Sequence, residues 1–507
     1  LERREAALKL IQNDFWQSFG LPAIAGLILA FSLPPSPLGF LAWAALTPLI
    51  LSLEGCSIGE AYRRGAVFAL VFNALSMYFL AFNSGATLPI AAASWVGLVV
   101  YATLISPLFL IPVALSLRKW KNWGVFSFPI FWTGFEYLKS LGEIAWPWNI
   151  IPLSQSNYLA PMQMVSITGV WGLSFWVTGI NALIYLAVKR STIWLLAVIL
   201  WITIPFIAGN IALKHPPQPM SSVNVAIVQG NVVPEDKWAN GLIYNIGLYR
   251  DLTEEISGAE LIVWPESAVP TYLNMSLQAR RILRGLAERM NAPIFTGALA
   301  LFNEPEDIER RYNSAFLIKP DDSEIERYDK IHLVPFGERV PFQKLIPSLG
   351  KLNFGQAEFT VGQDYHIFQI EGARFGAMVC YESIFPQIVR RFVADSADFL
   401  VNITNDGWYG KTVEPYQHAL LTRFRSIESG RSMVRAANTG ISYFTDAQGR
   451  FLARTKMEIR DILQVELPIY DGFTFYQRFG DIFAYFILII CLFITILHII
   501  LGCLVKR

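Results

Sequence analysis

The chain has 507 residues, is 53% hydrophobic and 16% charged, and carries a formal net charge of +1 with a mean hydropathy of +0.40. That balance excludes a disordered or collagen-like chain and is too apolar for one ordinary soluble domain. Near-zero charge offers no basic face for a nucleic acid. Residues 1–214 hold 19 of the 81 charged side chains and residues 215–471 hold 58. The expected division is therefore a membrane-embedded part over 1–214, a water-soluble part over 215–471 and a last span within 472–507.

Apolar stretches roughly long enough to cross about 30 Å of hydrocarbon run near 15–32, 38–53, 65–82, 88–117, 125–141, 162–188, 192–213 and 481–505. This gives about eight spans. The second and fifth are short and the fifth contains Glu136, a bundle-interior or interfacial carboxylate, which leaves seven as the other count. Basic residues favour eight: Arg3, Arg4 and Lys9, then Arg63 and Arg64, Arg118, Lys119 and Lys121, Lys189 and Arg190, and Lys506 and Arg507 all fall on one side. By the positive-inside rule that side is the cytoplasm, with both termini in it and the soluble part outside. The uncharged loops 32–37 and 83–87 then face outward. In the outer loop 143–160, Trp146 and Trp148 bracket Pro147. They form either an interfacial aromatic belt or a lipid-facing entrance. No cleavable signal peptide is expected, because the first apolar run lacks a small-residue cleavage site.

Pro216, Pro217 and Pro219 form a linker, after which β-like runs at 223–228, 259–264, 292–299, 314–318, 374–379, 399–403 and 440–444 alternate with helical or polar segments. The pattern predicts an α/β domain, with helices over 278–290 and 414–431 carrying charge pairs on solvated faces. Cys56, Cys491 and Cys503 lie in or beside apolar segments, so Cys380 is alone in this domain. Without an internal disulfide, the domain must rest on a hydrophobic core.

Chemistry gathers where the apolar runs stop. The run at 261–264 ends at Pro265 and presents Glu266; 328–338 (YDKIHLVPFGE) carries Lys330, His332 and Glu338; the run at 375–379 delivers Cys380, followed by Tyr381 and Glu382. A thiol with an ordinary pKa of about 8.5 is mostly protonated at neutral pH, so it needs a base. A carboxylate and an ammonium supply a base and a partner for an oxyanion.

These W-P-E, Y-x-K-x-H-L-V-P-F-G-E and C-Y-E segments, with the N-I-T-N-D-G-W-Y-G run over 402–410, resemble the nitrilase superfamily. With the eight-span frame, the whole chain resembles the apolipoprotein N-acyltransferase family of the bacterial inner membrane. The resemblance implies an α-β-β-α sandwich inserted between spans seven and eight on the periplasmic side, with Glu266, Lys330 and Cys380 as the catalytic triad. It implies a ping-pong reaction: an acyl chain passes from a membrane phospholipid to Cys380, then to the α-amine of an S-diacylglyceryl-cysteine apolipoprotein. No cofactor and no metal ion are expected.

Glu338 and Glu382 are expected to tune Lys330 and orient the thiol, or else to fix loops; Tyr381 shapes the site or packs, and His332 is left open between a structural and an active role. The apolar stretch 338–359, which includes Phe342, is expected to be a membrane-touching lid, with a core cap as the other reading. Trp238 and Trp408 are hydrophobic anchors or acyl-chain gates, while Asn405 and Asp406 organise a turn. The competing functions are a membrane-anchored nitrilase-type amidase that hydrolyses a small amide, and a transporter or scaffold with an inactive domain.

Overall fold

The structure, a computed structural model, describes residues 13–304, 308–321, 323–343, 345–346, 348 and 357–505. The chain divides into two compact units: Leu1–Ala81 with Ala91–His215 and Asp481–Arg507, and Phe82–Ile90 with Pro216–Gly480.

The first unit is helical. Among the described residues, four helical runs are long and apolar enough to cross a membrane: Leu88–Leu138, Val170–Lys189, Trp194–Lys214 and Ile482–Leu501. The first is interrupted by the turn Ser106–Leu110, where Pro107 removes a backbone donor. The stretch expected as one span near 38–53 is broken into Gly39–Leu41, Ala42–Ala45 and Thr47–Ser52. Buried Asn181 satisfies that break: its Oδ1 accepts from the Leu46 and Thr47 N–H groups at 2.8 and 3.0 Å, and its Nδ2 donates to Ala42 O at 2.9 Å. A polar group inside the bundle replaces the water that lipid cannot supply. The helix Ile58–Ser76 begins earlier than its apolar stretch, because Ser57 and Glu60 form a capping box. Arg63 and Arg64, expected ahead of the third span, therefore lie within this helix. Glu136 is buried and accepts from Ile151 N–H at 2.8 Å and Ser174 Oγ at 2.5 Å.

The second unit holds two mixed sheets. The strands of the first are β1 (Ser221–Gln229), β2 (Leu261–Val263), β3 (Val269–Tyr272), β4 (Ile294–Glu304), β5 (Ile308–Ile318) and β6 (Glu326–Asp329), together with a last strand, Asp461–Ile469, paired on β1. The second comprises β7 (Ile367–Ile370), β8 (Ala373–Val379), β9 (Phe399–Thr404), β10 (Met433–Ala437), β11 (Tyr443–Thr445) and β12 (Phe451–Arg454), side by side in reverse chain order. The core pairs β1–β2–β4 and β8–β9–β10 are parallel and the edges antiparallel. Parallel strands buried on both faces favour apolar runs, which β2 and the end of β8 provide, while β9 and β10 carry Asn402 and Arg435, bonded to each other. Phe295 of β4 meets Phe368 and Phe375 of the other sheet at 5.0 and 5.1 Å between ring centres.

Helices Gly241–Thr253 and Leu277–Met290 cover the outer face of the first sheet through Ile246, Tyr249, Leu283 and Leu286. Pro386–Ala394 and Glu414–Ser429 lie against the second. The result is the expected α-β-β-α sandwich. One expectation is corrected: the charged residues of Glu414–Ser429 do not face solvent, since Glu414, Arg423, Arg425 and Glu428 are all buried. They are compensated locally, Arg425 by Glu428 at 3.2 Å and Arg423 by Gly449 O at 2.5 Å and the face of Phe451.

Candidate active site

Three strand ends deliver the candidate groups. Lys330 and Cys380 directly follow β6 and β8, and Glu266 follows β2 after Trp264 and Pro265. Glu266 and Lys330 are buried and Cys380 is partly exposed. Cys380 and Ser267 both have positive φ, +54° and +52°, a conformation that costs a non-glycine residue roughly 1–3 kcal/mol and survives only where surroundings enforce it. At Glu266 the enforcement is visible. Gly297 of β4 passes so close that a Cβ there would lie 2.6 Å from Glu266 Cα and Ser267 N.

A hydrogen-bonded chain joins the groups. Asn313 of β5 donates from Nδ2 to Glu266 Oε1 at 2.7 Å and to Glu338 Oε1 at 3.0 Å. Glu338 accepts from the Lys330 ammonium at 2.9 Å and from Val334 N–H at 2.8 Å. Burial pulls the Lys330 ammonium down, but Glu338, the Cys380 thiolate and Glu266 outweigh it and hold this lysine above its usual range. Burial pushes Glu266 up, opposed by Lys330. Burial also pushes the Cys380 thiol well up, with Glu266 adding to the effect and Lys330 opposing it. The resting thiol is thus protonated beside a carboxylate and an ammonium that sense its charge.

Glu382 ties the segments together. Its Oε1 accepts from Tyr328 OH at 2.8 Å and from the N–H groups of Ile331 and His332 at 2.7 and 3.0 Å, and its Oε2 accepts from Val379 N–H at 2.7 Å. The residue before the thiol is so bonded to the residues after the lysine. The Tyr381 ring lies 5.1 Å from Phe385, and the His332 ring 4.0 Å from Phe385. Burial and Lys330 pull His332 down to about 4, which keeps it neutral at physiological pH.

Behind the thiol lies a second buried network. The Cys380 carbonyl is approached by Ser383 Oγ at 3.0 Å, Asn402 Nδ2 at 3.3 Å and His418 Nε2 at 3.2 Å. His418 Nδ1 meets Asp406 Oδ1 at 2.9 Å, and Arg435 meets Asp406 Oδ2 at 2.9 Å. Asp406, Glu414 and His418 place their ligand atoms within 4.8 Å of one another. With the Arg435 guanidinium already on Asp406, this cluster is an ion network that would repel a metal cation.

The lipid-contact candidates are dispersed. Asn405 is buried and accepts from Asn438 Nδ2 at 3.0 Å. Trp408 is half-buried, and its carbonyl accepts from Ser84 N–H at 2.8 Å. Phe342 is exposed, as are Leu345 and Ile346, whereas most of 344–356 and the Trp238 side chain lie outside the described residues. Trp146 and Trp148 belong to the helical unit, where Lys139 sits 4.9 Å over the Trp146 ring and Phe79 lies 5.5 Å from Trp148. Sequence reasoning missed Asn313, Lys237, His418 and Arg435. Only Asn313 carried a signal: it alternates with Ala315 and Leu317 on a strand and is the one polar residue of the three.

A thiol, an ammonium and a carboxylate at the strand ends of this sandwich define a carbon-nitrogen hydrolase domain, and that family matches residues 224–471. The apolipoprotein N-acyltransferase N-terminal domain matches residues 25–183. Apolipoprotein N-acyltransferase of Geobacter metallireducens is 33% identical over 92% of each chain, and that of Chlorobaculum tepidum is 31% identical over 94% of this chain and 95% of its own. A CN-hydrolase superfamily protein of Xanthomonas campestris, 19% identical, has a TM-score of 0.38 and covers 49% of this chain and 91% of its own. The chain belongs to the apolipoprotein N-acyltransferase family and is an acyltransferase.

Proposed function

We propose that the protein acylates the α-amine of an S-diacylglyceryl-cysteine apolipoprotein with a chain taken from a membrane phospholipid, in two half-reactions through a thioester on Cys380. The observation that carries this reading is the Glu266–Asn313–Glu338–Lys330 chain beside Cys380, in a polypeptide that also has apolar membrane-length helices. Glu266 takes the Cys380 proton and the thiolate attacks the ester carbonyl. Lys330 and the backbone N–H groups after Cys380 stabilise the oxyanion. Collapse breaks the ester C–O bond, Glu266 returns the proton to the departing alkoxide, and lysophospholipid leaves. The apolipoprotein amine then attacks the thioester, Glu266 takes its proton, and the thiolate departs and is reprotonated. Glu338, Glu382 and Tyr381 support the triad, while Trp146, Trp148, Trp238, Phe342, Asn405 and Trp408 are assigned to lipid contact. The assigned frame is eight spans in an inner membrane, with parts 1–214, 215–471 and 472–507, the middle one periplasmic and both termini cytoplasmic.

Labelled phospholipid alone should give a burst of one lysophospholipid per active site and then a stall, with label held on Cys380. A diacylglyceryl-cysteine peptide should discharge the label as amide, and the same peptide with a blocked amine should not. Steady release of fatty acid without peptide would refute transfer in favour of hydrolysis.

A further inference from the structure

The site contains a second ammonium that the reaction above leaves unused. Lys237, on the short helix Pro234–Ala239, is 1% exposed. Among the described residues its Nζ finds one hydrogen-bond acceptor, the backbone carbonyl of Glu266 at 3.4 Å. An ammonium taken from water for one long hydrogen bond is costly to bury unless a charge compensates it. Burial pulls Lys237 down to about 8, and Glu266 is the charge that holds it up.

The charges facing the Glu266 carboxyl are Lys330, Glu338 and Lys237, with the Cys380 thiol beyond. Lys330 cannot serve Glu266 alone, because both Glu338 oxygens lie 2.9 Å from its Nζ. Among the described residues, the hydrogen-bond donor to the Glu266 carboxyl is the neutral amide of Asn313. Two carboxylates and one ammonium leave this pocket one negative charge in excess, and in a site this dry the excess is relieved by protonating a carboxylate. Glu338 is committed to Lys330, so the proton would fall on Glu266 and disable it as a base. A second ammonium restores the balance.

We propose that Lys237 is a positioning residue that acts as the counter-charge of Glu266 and keeps it ionised between turnovers, so that the Cys380 proton has an acceptor at neutral pH. This rests on Glu266 being the base. Lys237 need not touch either substrate. It acts through the field at the Glu266 carboxyl, and its signature is a pH dependence that a packing role would not produce.

The test is single-turnover lysophospholipid release by the full-length protein in phospholipid–detergent micelles across pH. The rate rises with pH as the base ionises. Removing a nearby cation raises the carboxyl pKa and moves that limb to higher pH, by about one unit or more for an opposite charge within a few ångströms. Lys237→Met is expected to be about tenfold slower below the limb and to converge with wild type on the plateau. Lys237→Gln, a second neutral side chain, should shift the limb likewise, and Lys237→Arg should leave it in place. A uniform rate loss at every pH in Met and Gln, or wild-type profiles in both, would overturn the proposal. Glu266→Gln separates the two levels. If it is inactive while the Lys237→Met limb stays unmoved, only the role of Lys237 fails; if it is active, the base assignment fails and this proposal with it.

Discussion

Glu382→Gln asks how far the nucleophile's geometry depends on one buried carboxylate. Glutamine has the same shape but must turn one oxygen into a donor. Keeping oxygen at the Oε1 position retains the bonds from Tyr328, Ile331 and His332 and sets an NH2 against Val379 N–H, 2.7 Å away in the native pair. The opposite rotamer sacrifices three bonds to keep one, so the first is adopted. It loses a charge-assisted bond and strands a buried N–H, together about 3 kcal/mol. For a unit of this size that lowers Tm by roughly 6–12 °C. The stranded N–H immediately precedes Cys380, so alkylation of Cys380 by iodoacetamide and single-turnover lysophospholipid release should both slow by more than tenfold. Thermal unfolding in detergent and the two rate measurements check this. A Glu382→Gln protein with wild-type Tm and wild-type acyl uptake would refute the view that this tether fixes the thiol.

Gly297→Ala should cost about 1–3 kcal/mol through overpacking and depress acyl uptake, because its Cβ would press on Glu266 Cα and Ser267 N at 2.6 Å; calorimetry with single-turnover kinetics measures both. Arg435→Met should destabilise by about 3–5 kcal/mol, since it removes a partner of a buried Asp406 carboxylate, and denaturant midpoints test it. Burial pushes Asp406 up, but Arg435 and His418 overcome it and hold its carboxyl down at about 2. A depressed acid stabilises the fold above its unfolded pKa of about 3.9, and that contribution disappears as pH falls toward about 2. Asp406→Asn should flatten this part of the stability profile. In sealed right-side-out vesicles, a cysteine placed in the charged unit should react with an impermeant thiol reagent and one beside Arg64 should not; the reverse would overturn the assigned topology.

Largely buried, apolar strands were the most legible in the sequence: the run at 374–379 is β8 and that at 399–403 is β9 within a residue. Continuous apolar runs leave few alternatives. The edge strands β7 and β12 and the strand Asp461–Ile469 went unread, because exposed polar residues such as Gln369, Arg454, Gln464 and Glu466 interrupt their apolar pattern. So did β10, whose Arg435 disguises a strand buried throughout. In the site, residues whose chemistry is rare announced themselves, as Cys380 did by being alone. Lys237 did not, because an ammonium becomes informative only when burial and a carboxylate neighbour are known, and Asn313 offered no more than a polar residue in an alternating strand. The same blindness turned the charges of Glu414–Ser429 outward on paper when the fold turns them inward.

Cys380 sits between two buried ion networks, and their arrangement shows how a thiol with a raised pKa could serve as the nucleophile proposed above. On one side, Glu266 and Lys330 face the sulfur, and Lys330 opposes the rise that burial imposes. Lys330 stays charged because Glu338 is bonded to it. On the other side, Asp406, His418 and Arg435 form a network that meets the Cys380 carbonyl through His418 Nε2 at 3.2 Å and so buttresses the left-handed backbone there. A thiolate held permanently would be open to oxidation and to unproductive alkylation. A thiol that ionises only as its proton moves to Glu266 is protected in the resting state. It becomes reactive when a carbonyl is present to receive the charge and Lys330 to stabilise it. The division of labour predicts different failures: damage to the Glu266 side should change the pH at which acyl uptake begins, whereas damage to the Asp406 side should lower its rate at every pH.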